Sequence, residues 1–372
     1  MRFFIFVING LGVGNLSDVN SRSLFCNSYD DINKKLIINT TNLKKLGICS
    51  IDTVQTRIEY APLGSYGKAR TSGISKGILF DYLELMGYKQ KKINKNEFGG
   101  LCNKSIKRLE KKVGLSFLCN KKYENLKAIE DYGNEHIKTG RPIINISEDN
   151  ILQLTANLNI MTKERLFEIA EKICENLTLD DGISKVVARP FYSNGNTYLR
   201  TLIRKDCYFK PSIRLDIEKF AKKYKVIMMN DFASIFEKAR NIHRLEVEND
   251  DDAMGQLLNV FELKFDGLVF CNISELLHYG KKHDVTNYGM ELERIDRYIY
   301  SLIGKMVEND NVIILGNHSA NPTISSFQTG IEYSPILAIG PQIEKNYDLK
   351  TLNYDEIFLR VKKILEEKAE KF

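Results

Sequence analysis

The sequence lacks the cysteine pattern and the apolar runs that would place the protein outside the cytoplasm or across a membrane. Its seven cysteines are odd in number and include no Cys-x-x-Cys pair, so neither a disulfide framework nor a zinc knuckle is indicated. No apolar run approaches membrane-spanning length, and the short apolar start at residues 3–8 lacks a cleavage pattern. We expect a cytoplasmic protein with reduced thiols and no membrane partner.

Positive charge is only in modest excess. The 372 residues carry 54 Lys and Arg against 48 Asp and Glu, a formal net charge of +6. The densest basic stretch, residues 89–112, has apolar residues at roughly helical spacing, so a solvated helix face explains it better than a phosphate-binding arm. We therefore expect no nucleic-acid partner. A chain of this length can bury a large core and is expected to form two domains.

A buried strand that runs into a polar loop marks the predicted site. Residues 312–315 are apolar without alternation, which is typical of a central strand in a parallel sheet. Asn317 and His318, one of only five histidines, follow directly. Because ligands of open α/β sheets bind just beyond the carboxyl ends of such strands, the site is predicted to begin at Asn317.

The first strand, residues 3–8, also ends in a polar segment. Asn9 is followed by glycines at positions 10, 12 and 14, but the dinucleotide-binding fingerprint requires Gly-x-Gly-x-x-Gly. No helix with a later ribose-binding carboxylate follows cleanly. The pattern therefore disfavours nucleotide binding.

Several segments resemble phosphopentomutases of the alkaline-phosphatase, or metalloenzyme, superfamily. Segments 314–323 and 331–337 are similar to the metal-binding end of these enzymes, and segment 9–14 to their opening Asp-Ser-x-Gly-x-Gly. Segment 67–74 is similar to the phosphothreonine motif. Four further segments are similar to parts of the family's inserted cap domain: 133–140, 142–153, 188–191 and 200–206. The resemblance implies an α/β fold whose alkaline-phosphatase-like core has a central, mostly parallel sheet flanked by helices. It assigns residues 1–95 and 208–372 to this core and residues 96–207 to an α/β cap.

In that family two manganese ions orient a phosphothreonine that exchanges phosphate with a pentose phosphate. The resemblance places these functions on positions that here read Asn9, Arg70, Leu276, Lys281, Asn317, His318 and Thr329. Among these, His318 alone keeps the family residue. Two adjacent dications require carboxylates to offset their charge, so no metal is expected.

Two features of this comparison stay open in the sequence. Arg70 stands at the nucleophile position, but a register slip of one residue brings Thr71 or Ser72 there. A single zinc ion held by His278, His283 and His318 with Asp284 is a further alternative, although no dedicated ligand spacing supports it.

The resemblance also implies a phosphate-binding set in the cap. Ser147, Asp149, Arg189 and Arg204 match the residues that hold the sugar phosphate in the family. The planar guanidinium can donate two hydrogen bonds to one phosphate. These arginines could equally form structural ion pairs. In the core, Arg70 and Lys281 are predicted to replace the lost metals with fixed positive charge.

The leading hypothesis is a phosphopentomutase-like pseudoenzyme that has lost the dimetal mutase reaction. It would bind a phosphorylated small molecule such as a pentose phosphate, or serve with a protein partner as a noncatalytic subunit. The alternative is an active phosphotransferase or isomerase that interconverts pentose 1- and 5-phosphates or acts on a related phosphosugar. A pure interaction protein is the third hypothesis. Fold by itself does not decide among them.

Overall fold

The computed structural model describes residues 1–16, 26–59, 61–73, 77–123, 126–147, 150–194, 197–211, 216–324, 329–367 and 371–372. The chain forms two compact units. The core unit consists of Met1–Ser72, Asp81–Lys89 and Ser212–Phe372, and the inserted unit of Gly73–Phe80 and Gln90–Pro211.

Strands occur in both units. In chain order they are β1 Arg2–Asn9, β2 Ser65–Arg70, β3 Leu118–Lys122, β4 Ile143–Ile146, β5 Ile151–Thr155, β6 Lys185–Ala188, β7 Phe191–Asn194, β8 Thr197–Arg200, β9 Lys205–Tyr208, β10 Lys225–Met229, β11 His243–Leu245, β12 Gly267–Ile273, β13 Asp310–Asn317, β14 Ser334–Ile339 and β15 Tyr347–Asn353.

Helices alternate with these strands. They are α1 Ser28–Lys35, α2 Thr41–Leu46, α3 Ile78–Leu85, α4 Asn103–Val113, α5 Lys127–Thr139, α6 Lys163–Glu175, α7 Asp216–Phe220, α8 Asp231–Ile235, α9 Asp250–Val260, α10 Glu275–Lys281, α11 Val285–Gly304 and α12 Tyr354–Glu367, with 3-10 turns at Ile48–Ser50 and Leu179–Asp181.

The described strands of the core unit form an eight-stranded sheet in the order β11-β10-β12-β1-β13-β14-β2-β15. β1 pairs in parallel with β12 and β13, and every residue of β1 is buried. β14 is antiparallel to both β13 and β2. The carboxyl ends of β1, β10, β12, β13 and β2 consequently lie along the same edge of the sheet.

Both faces of this sheet are covered, as the unbroken apolar strands predict. Phe4, Phe6 and Ile8 belong to a core cluster with apolar residues of α2, α9, α10 and α11. On the other face the Phe270 ring lies 5.3 Å from the Phe232 ring, which stacks on Tyr82 at 4.0 Å. The mixed α/β architecture predicted from the sequence is confirmed.

The described strands of the inserted unit form a five-stranded sheet, β3-β4-β5-β6-β9, and a two-stranded sheet, β7-β8. Helix α6 packs on β5, β6 and β9, and α5 packs on β3 and β4. Helix α6 begins at a Thr162 cap, whose hydroxyl accepts a hydrogen bond from the Arg165 N–H.

Most elements predicted from periodicity are present at the expected places. The predicted strands at residues 3–8 and 312–315 correspond to β1 and β13. The helical spacing of apolar residues over 213–224 predicts one helix, which extends further than the structure shows. The described part is α7, Asp216–Phe220, while residues 212–215 lie outside the described residues. The N–H groups of Lys222 and Lys223 instead bond three residues back, since the chain has to enter β10 at Lys225.

In the described part of the chain, no helix is both long and apolar enough to cross a membrane.

Candidate functional site

The carboxyl-end edge of the core sheet carries the predicted site residues. Asn9 ends β1 and Asn317 ends β13, and the strand register sets them directly opposite each other. Ser274 follows β12, and Asp231 comes two residues after β10. Polar side chains that end or follow four neighbouring strands therefore lie along the carboxyl-end edge of the core sheet, where ligands of such sheets bind.

The two asparagines bond to each other. Nδ2 of Asn317 donates to Oδ1 of Asn9 at 2.9 Å, and both residues are fully buried. Nδ2 of Asn9 donates to the Tyr82 hydroxyl at 2.8 Å and to Oγ of Ser274 at 2.9 Å. The hydrogen-bonding capacity of the Asn9 amide is therefore largely used within the protein.

Two buried tyrosines frame this amide pair. The Tyr354 hydroxyl lies 3.1 Å from Oδ1 of Asn317, 2.8 Å from Oγ of Ser334 and 2.7 Å from the Gly316 carbonyl oxygen. Burial, more than any neighbouring charge, raises the pKa of Tyr82 and of Tyr354. Both phenols are therefore neutral hydrogen-bonding groups. A carboxylate joins the network through Ser274, whose Oγ lies 3.3 Å from Oδ2 of Asp231.

Helix α10 places the next two predicted positions. Its first turn is held by Asp250, whose Oδ2 accepts from the Ser274 N–H at 2.6 Å and the Glu275 N–H at 2.7 Å. Leu276 is fully buried in the apolar cluster of the core unit. Lys281, at the end of the helix, is exposed.

These residues do not fit a pair of manganese ions. Divalent cations of this kind prefer carboxylate oxygens and neutral imidazoles, whereas the edge presents two amides bonded to each other and a leucine packed in the core. Across the described ranges, no group of three or more His, Cys, Asp or Glu side chains is placed to hold a metal ion. His278, His283 and His318 are among the described residues and form no such group with Asp284.

Two residues of the single-zinc alternative, His278 and Asp284, have contacts within the protein. His278 is exposed on α10, with its ring 5.9 Å from the Tyr279 ring. Asp284 caps α11 by accepting the Asn287 N–H at 3.0 Å. The carboxylate is thus already engaged at the helix start.

His318 joins a chain of side chains that does not involve the two asparagines. Its Nδ1 lies 3.3 Å from Oδ2 of Asp81, and its Nε2 lies 3.1 Å from Oγ1 of Thr329. A carboxylate can only accept, so Nδ1 carries a proton, and in the neutral imidazole Nε2 accepts from the Thr329 hydroxyl. His318 and Asp81 are both buried. The chain has the order acid, imidazole, hydroxyl.

Ser72 has a carboxylate partner of its own. Its N–H donates to Oε2 of Glu84 at 2.8 Å, and its hydroxyl donates to Oε1. Burial raises the pKa of Glu84 to about 7, despite these hydrogen bonds, which lower it.

Arg70, two residues before Ser72, has its Nε 3.5 Å from Oδ1 of Asn353. An amide oxygen does not neutralise the charge of that guanidinium.

The predicted cap residues lie in the inserted unit. Nη2 of Arg204 donates to Oδ2 of Asp206 at 2.6 Å, and Lys185 approaches the same carboxylate at 3.0 Å. The half-buried guanidinium of Arg189 donates no hydrogen bond to any of the described residues. Oγ of Ser147 accepts the Ile151 N–H at 3.3 Å, which closes the turn between β4 and β5. Asp149 lies outside the described residues.

Several polar residues of this edge were missed from the sequence. Asp231 lies two residues after the carboxyl end of β10, so the strand-end rule applied to β10 would have identified it. Its Oδ2 accepts from Nδ2 of Asn272 at 2.8 Å. Asp81 and Glu84 lie on α3, whose residues 79–85 are all buried. Buried carboxylates in a short apolar helix are the signal that could have revealed them.

Comparison with known proteins supports the resemblance. Residues 224–367 match the Metalloenzyme superfamily. The chain is 27% identical to a phosphopentomutase of Lachnoclostridium phytofermentans over 358 residues, which cover 94% of this chain and 91% of that protein. It is 28% identical to a phosphopentomutase of Acetivibrio thermocellus over 356 residues, with coverage of 94% and 92%.

Solved structures show the same fold at low sequence identity. The PH0037 protein of Pyrococcus horikoshii aligns with a TM-score of 0.50 and 14% identity, covering 100% of this chain and 98% of that one. A phosphoglycerate mutase of Leishmania mexicana aligns with a TM-score of 0.51 and 8% identity, covering 99% and 97%. At these identities the likeness concerns the fold alone.

Proposed function

Since the chain is a phosphopentomutase-like member of the metalloenzyme superfamily, we propose that it is a pseudoenzyme that binds a phosphosugar without metal ions. The family's phosphoryl exchange depends on two dications and a nucleophile. This chain has asparagines, a leucine and an arginine at positions that the family uses for these functions. The proposed protein therefore binds the phosphosugar but does not catalyse the mutase reaction.

The observation that carries this proposal is the hydrogen bond between Asn9 and Asn317. Each stands where the family has a metal-binding aspartate, and each has its amide oxygen occupied by a protein donor. A metal ion would have to displace these partners and would gain only neutral ligands. Cationic side chains bind an anion directly and need no metal ion.

Arginine side chains supply the expected phosphate contact. Burial, together with the charge of Arg204, lowers the pKa of Arg189, which means that its positive charge is poorly compensated. An anionic ligand would offset the unfavourable burial of this charge through charge-assisted hydrogen bonds, each contributing about 1.5–3 kcal/mol. Arg70 and Lys281 are proposed to add positive charge at the core edge, and Asp149 and Ser147 to assist in the inserted unit.

A second candidate function is a metal-independent phosphotransferase. It is favoured by the contact of Ser72 with Glu84 and by the Asp81, His318 and Thr329 chain. A hydroxyl bonded to a base that a third group orients is the arrangement of an activated nucleophile. Turnover of ribose 5-phosphate in EDTA, lost in both Ser72→Ala and His318→Ala, would support this candidate.

Calorimetry of the purified protein with ribose 5-phosphate in EDTA tests the leading proposal. We expect binding that is unchanged when manganese replaces EDTA, and no metal retained by the protein in elemental analysis. Binding that requires manganese would overturn the metal-free part of the proposal. Absence of binding under both conditions would overturn the proposal as a whole.

A further inference from the structure

The excess positive charge of the chain lies in one short stretch of the inserted unit. Residues 90–112 contain eight Lys and Arg and two Glu, a net charge of +6. The whole chain also has a net charge of +6, so the other 349 of its 372 residues sum to zero. Helix α4, Asn103–Val113, carries five of the eight basic residues within its 11 positions. The excess charge is therefore concentrated on one helix.

Three lysines form a stripe on the exposed face of α4. The helix packs against α6, and its buried residues are Ser105, Leu109 and Val113. Lys104, Lys107 and Lys111 are exposed. Because they are three and four residues apart, they lie on one face of the helix, opposite the buried residues. From Lys104 to Lys111 the helix rises by about 10 Å, so this lysine stripe follows two helical turns.

The carboxylates nearest to the lysine stripe are engaged elsewhere. Glu110 is the one acidic residue of α4, and its Oε1 accepts the Phe117 N–H at 2.9 Å. Asp181 forms an ion pair with Arg108, which lies beside the stripe. Within the described part of the chain, none of the three stripe lysines forms an ion pair. The charge of the stripe is therefore not neutralised by these residues.

Two other helices of the inserted unit have their charges arranged differently. In α5, Nζ of Lys127 lies 3.9 Å from Oδ2 of Asp131. In α6, Nη1 of Arg165 lies 3.0 Å from Oε2 of Glu168. Opposite charges three or four residues apart stabilise a solvated helix, and α5 and α6 follow this rule.

The lysine stripe, by contrast, is unfavourable for α4 itself. Like charges three or four residues apart destabilise a helix, and Lys107 has such neighbours in both Lys104 and Lys111. Lys104 also stands in the first turn, where the helix dipole disfavours a cation. Folding therefore gains nothing from the stripe, whereas a bound anionic partner would offset the repulsion.

We propose that the lysine stripe of α4 is a docking surface for an acidic helix of a partner protein. Carboxylates on two successive turns of such a helix have the same spacing as the three ammonium groups, so each can form an ion pair. Exposed ion pairs are weak and are screened by salt, so the complex should be transient. The stripe includes none of the residues proposed to bind a phosphosugar.

Two other anionic partners fit this surface less well. A membrane-surface helix buries its apolar face among the lipids, whereas the apolar residues of α4 are buried within the protein. Proteins that bind nucleic acid commonly contact about 6 to 10 phosphates, and the stripe offers three lysines. Arg108, whose guanidinium suits phosphate best, is paired with Asp181.

The test uses the full chain and two synthetic peptides labelled with fluorescein. The first is an alanine-rich helix with glutamates at positions i, i+4 and i+7, which matches the stripe in antiparallel orientation. The second has the same composition with its glutamates distributed around the helix. In fluorescence anisotropy at about 50 mM salt, we expect the first peptide to bind at least about fivefold more tightly. Its affinity should fall at least about tenfold at about 300 mM salt.

Reversal of the central charge gives the second measurement. Lys107→Glu is expected to weaken binding of the first peptide about tenfold. Lys138→Glu, at an exposed position of α5, makes the same change in net charge and should leave the affinity within about twofold. Lys107→Glu also places opposite charges beside Lys104 and Lys111, so it should unfold at the temperature of the wild type or above it. Weaker binding would then not result from misfolding.

Several outcomes would overturn this inference. Equal affinity for the two peptides, or equal effects of Lys107→Glu and Lys138→Glu, would show that the surface does not select an acidic helix. Tighter binding of a single-stranded oligonucleotide or of phosphatidylserine vesicles would assign the stripe to that anion. Salt-sensitive self-association in sedimentation velocity, lost in Lys107→Glu, would assign it to a second copy of the chain.

The same variants separate this inference from the proposed function. Lys107→Glu should bind ribose 5-phosphate as the wild type does in calorimetry. If no phosphosugar binds but the first peptide is selected, the docking surface stands and the proposed function is wrong. If ribose 5-phosphate binds and neither peptide is selected, the docking surface alone is wrong.

Discussion

Nδ2 of Asn317 donates a hydrogen bond to Oδ1 of Asn9 across β13 and β1, at 2.9 Å between residues 308 positions apart in the chain. Each residue is fully buried at the carboxyl end of a central strand. An amide can both donate and accept, whereas two carboxylates at this distance would repel unless a cation lay between them. The pair is therefore stable without a metal.

Replacing one member of this pair by a carboxylate tests that conclusion. Asn317→Asp leaves two acceptors facing each other in a buried position and is expected to cost about 3 kcal/mol or more of unfolding free energy at pH 7. Burial should raise the pKa of the new carboxyl. Stability relative to wild type is then regained below that pKa and lost as the pH rises through it. Denaturant unfolding at pH 4.5 and 7 measures this, with Asn159→Asp as an exposed control.

The mutase reaction itself should be absent. With manganese, a bisphosphate activator and ribose 1-phosphate, we expect no turnover in the range of about 1 to 1000 per second that is typical of enzymes. Asn9→Asp combined with Asn317→Asp should not restore it, because Leu276 and Arg70 remain. The Acetivibrio thermocellus phosphopentomutase serves as a positive control. Turnover by the wild-type chain would contradict the loss of catalysis.

The two cap arginines should contribute unequally to phosphate binding. The Arg189 guanidinium makes no hydrogen bond with the described residues, so Arg189→Ala should weaken ribose 5-phosphate binding at least about tenfold. Arg204 is already bonded to Asp206, and Arg204→Ala should have a smaller effect. Calorimetry of both variants, with the exposed Arg165→Ala of α6 as control, measures the difference. Unchanged affinity in Arg189→Ala would make that side chain structural.

The positive charge predicted at the core edge has its own signature. Inorganic phosphate binding should survive EDTA, fall with added salt and weaken in Arg70→Ala. Lys281 is exposed, so Lys281→Ala should cost only about two- to fivefold. Lys264→Ala, at another exposed position of the core unit, controls for net charge. Affinity that is indifferent to both site variants would refute a role for these residues.

Stability should also depend on pH through His136. Its Nδ1–H donates to the Arg141 carbonyl at 2.7 Å, and its Nε2 accepts the Asn157 N–H at 2.8 Å. Burial lowers the pKa of His136, so the unfolded chain binds this proton more readily than the folded one. Its contribution to stability is complete above the unfolded pKa of about 6.5 and is lost as the pH falls toward the folded value.

Unfolding experiments at pH 8, 6.5 and 5 can isolate this effect. His136→Gln is expected to lower stability at pH 8, because one of the two backbone partners loses its bond, and to flatten the dependence below pH 6.5. His243→Gln is the exposed control. If the free energy of unfolding falls equally steeply below pH 6.5 in wild type and His136→Gln, other groups cause the acid sensitivity.

The sequence alone determined the main secondary-structure elements and the strand ends that carry Asn9 and Asn317. Apolar runs identified the central strands because burial on both faces leaves no alternation. Gly47, with a φ of 113°, ends α2, since glycine tolerates that backbone conformation and is a local signal for a helix end. Asn9 and Asn317 were located because their position relative to a strand is a local property.

Only the tertiary structure decided what these side chains contact. Asn9 meets Asn317 because β1 and β13 pair in one register, and a local pattern does not contain that register. The same holds for Glu84 with Ser72 and for Asn145 opposite Gln153. The periodicity of apolar residues indicates which side chains are buried. Their hydrogen-bond partners depend on strand pairing and packing between residues far apart in the chain.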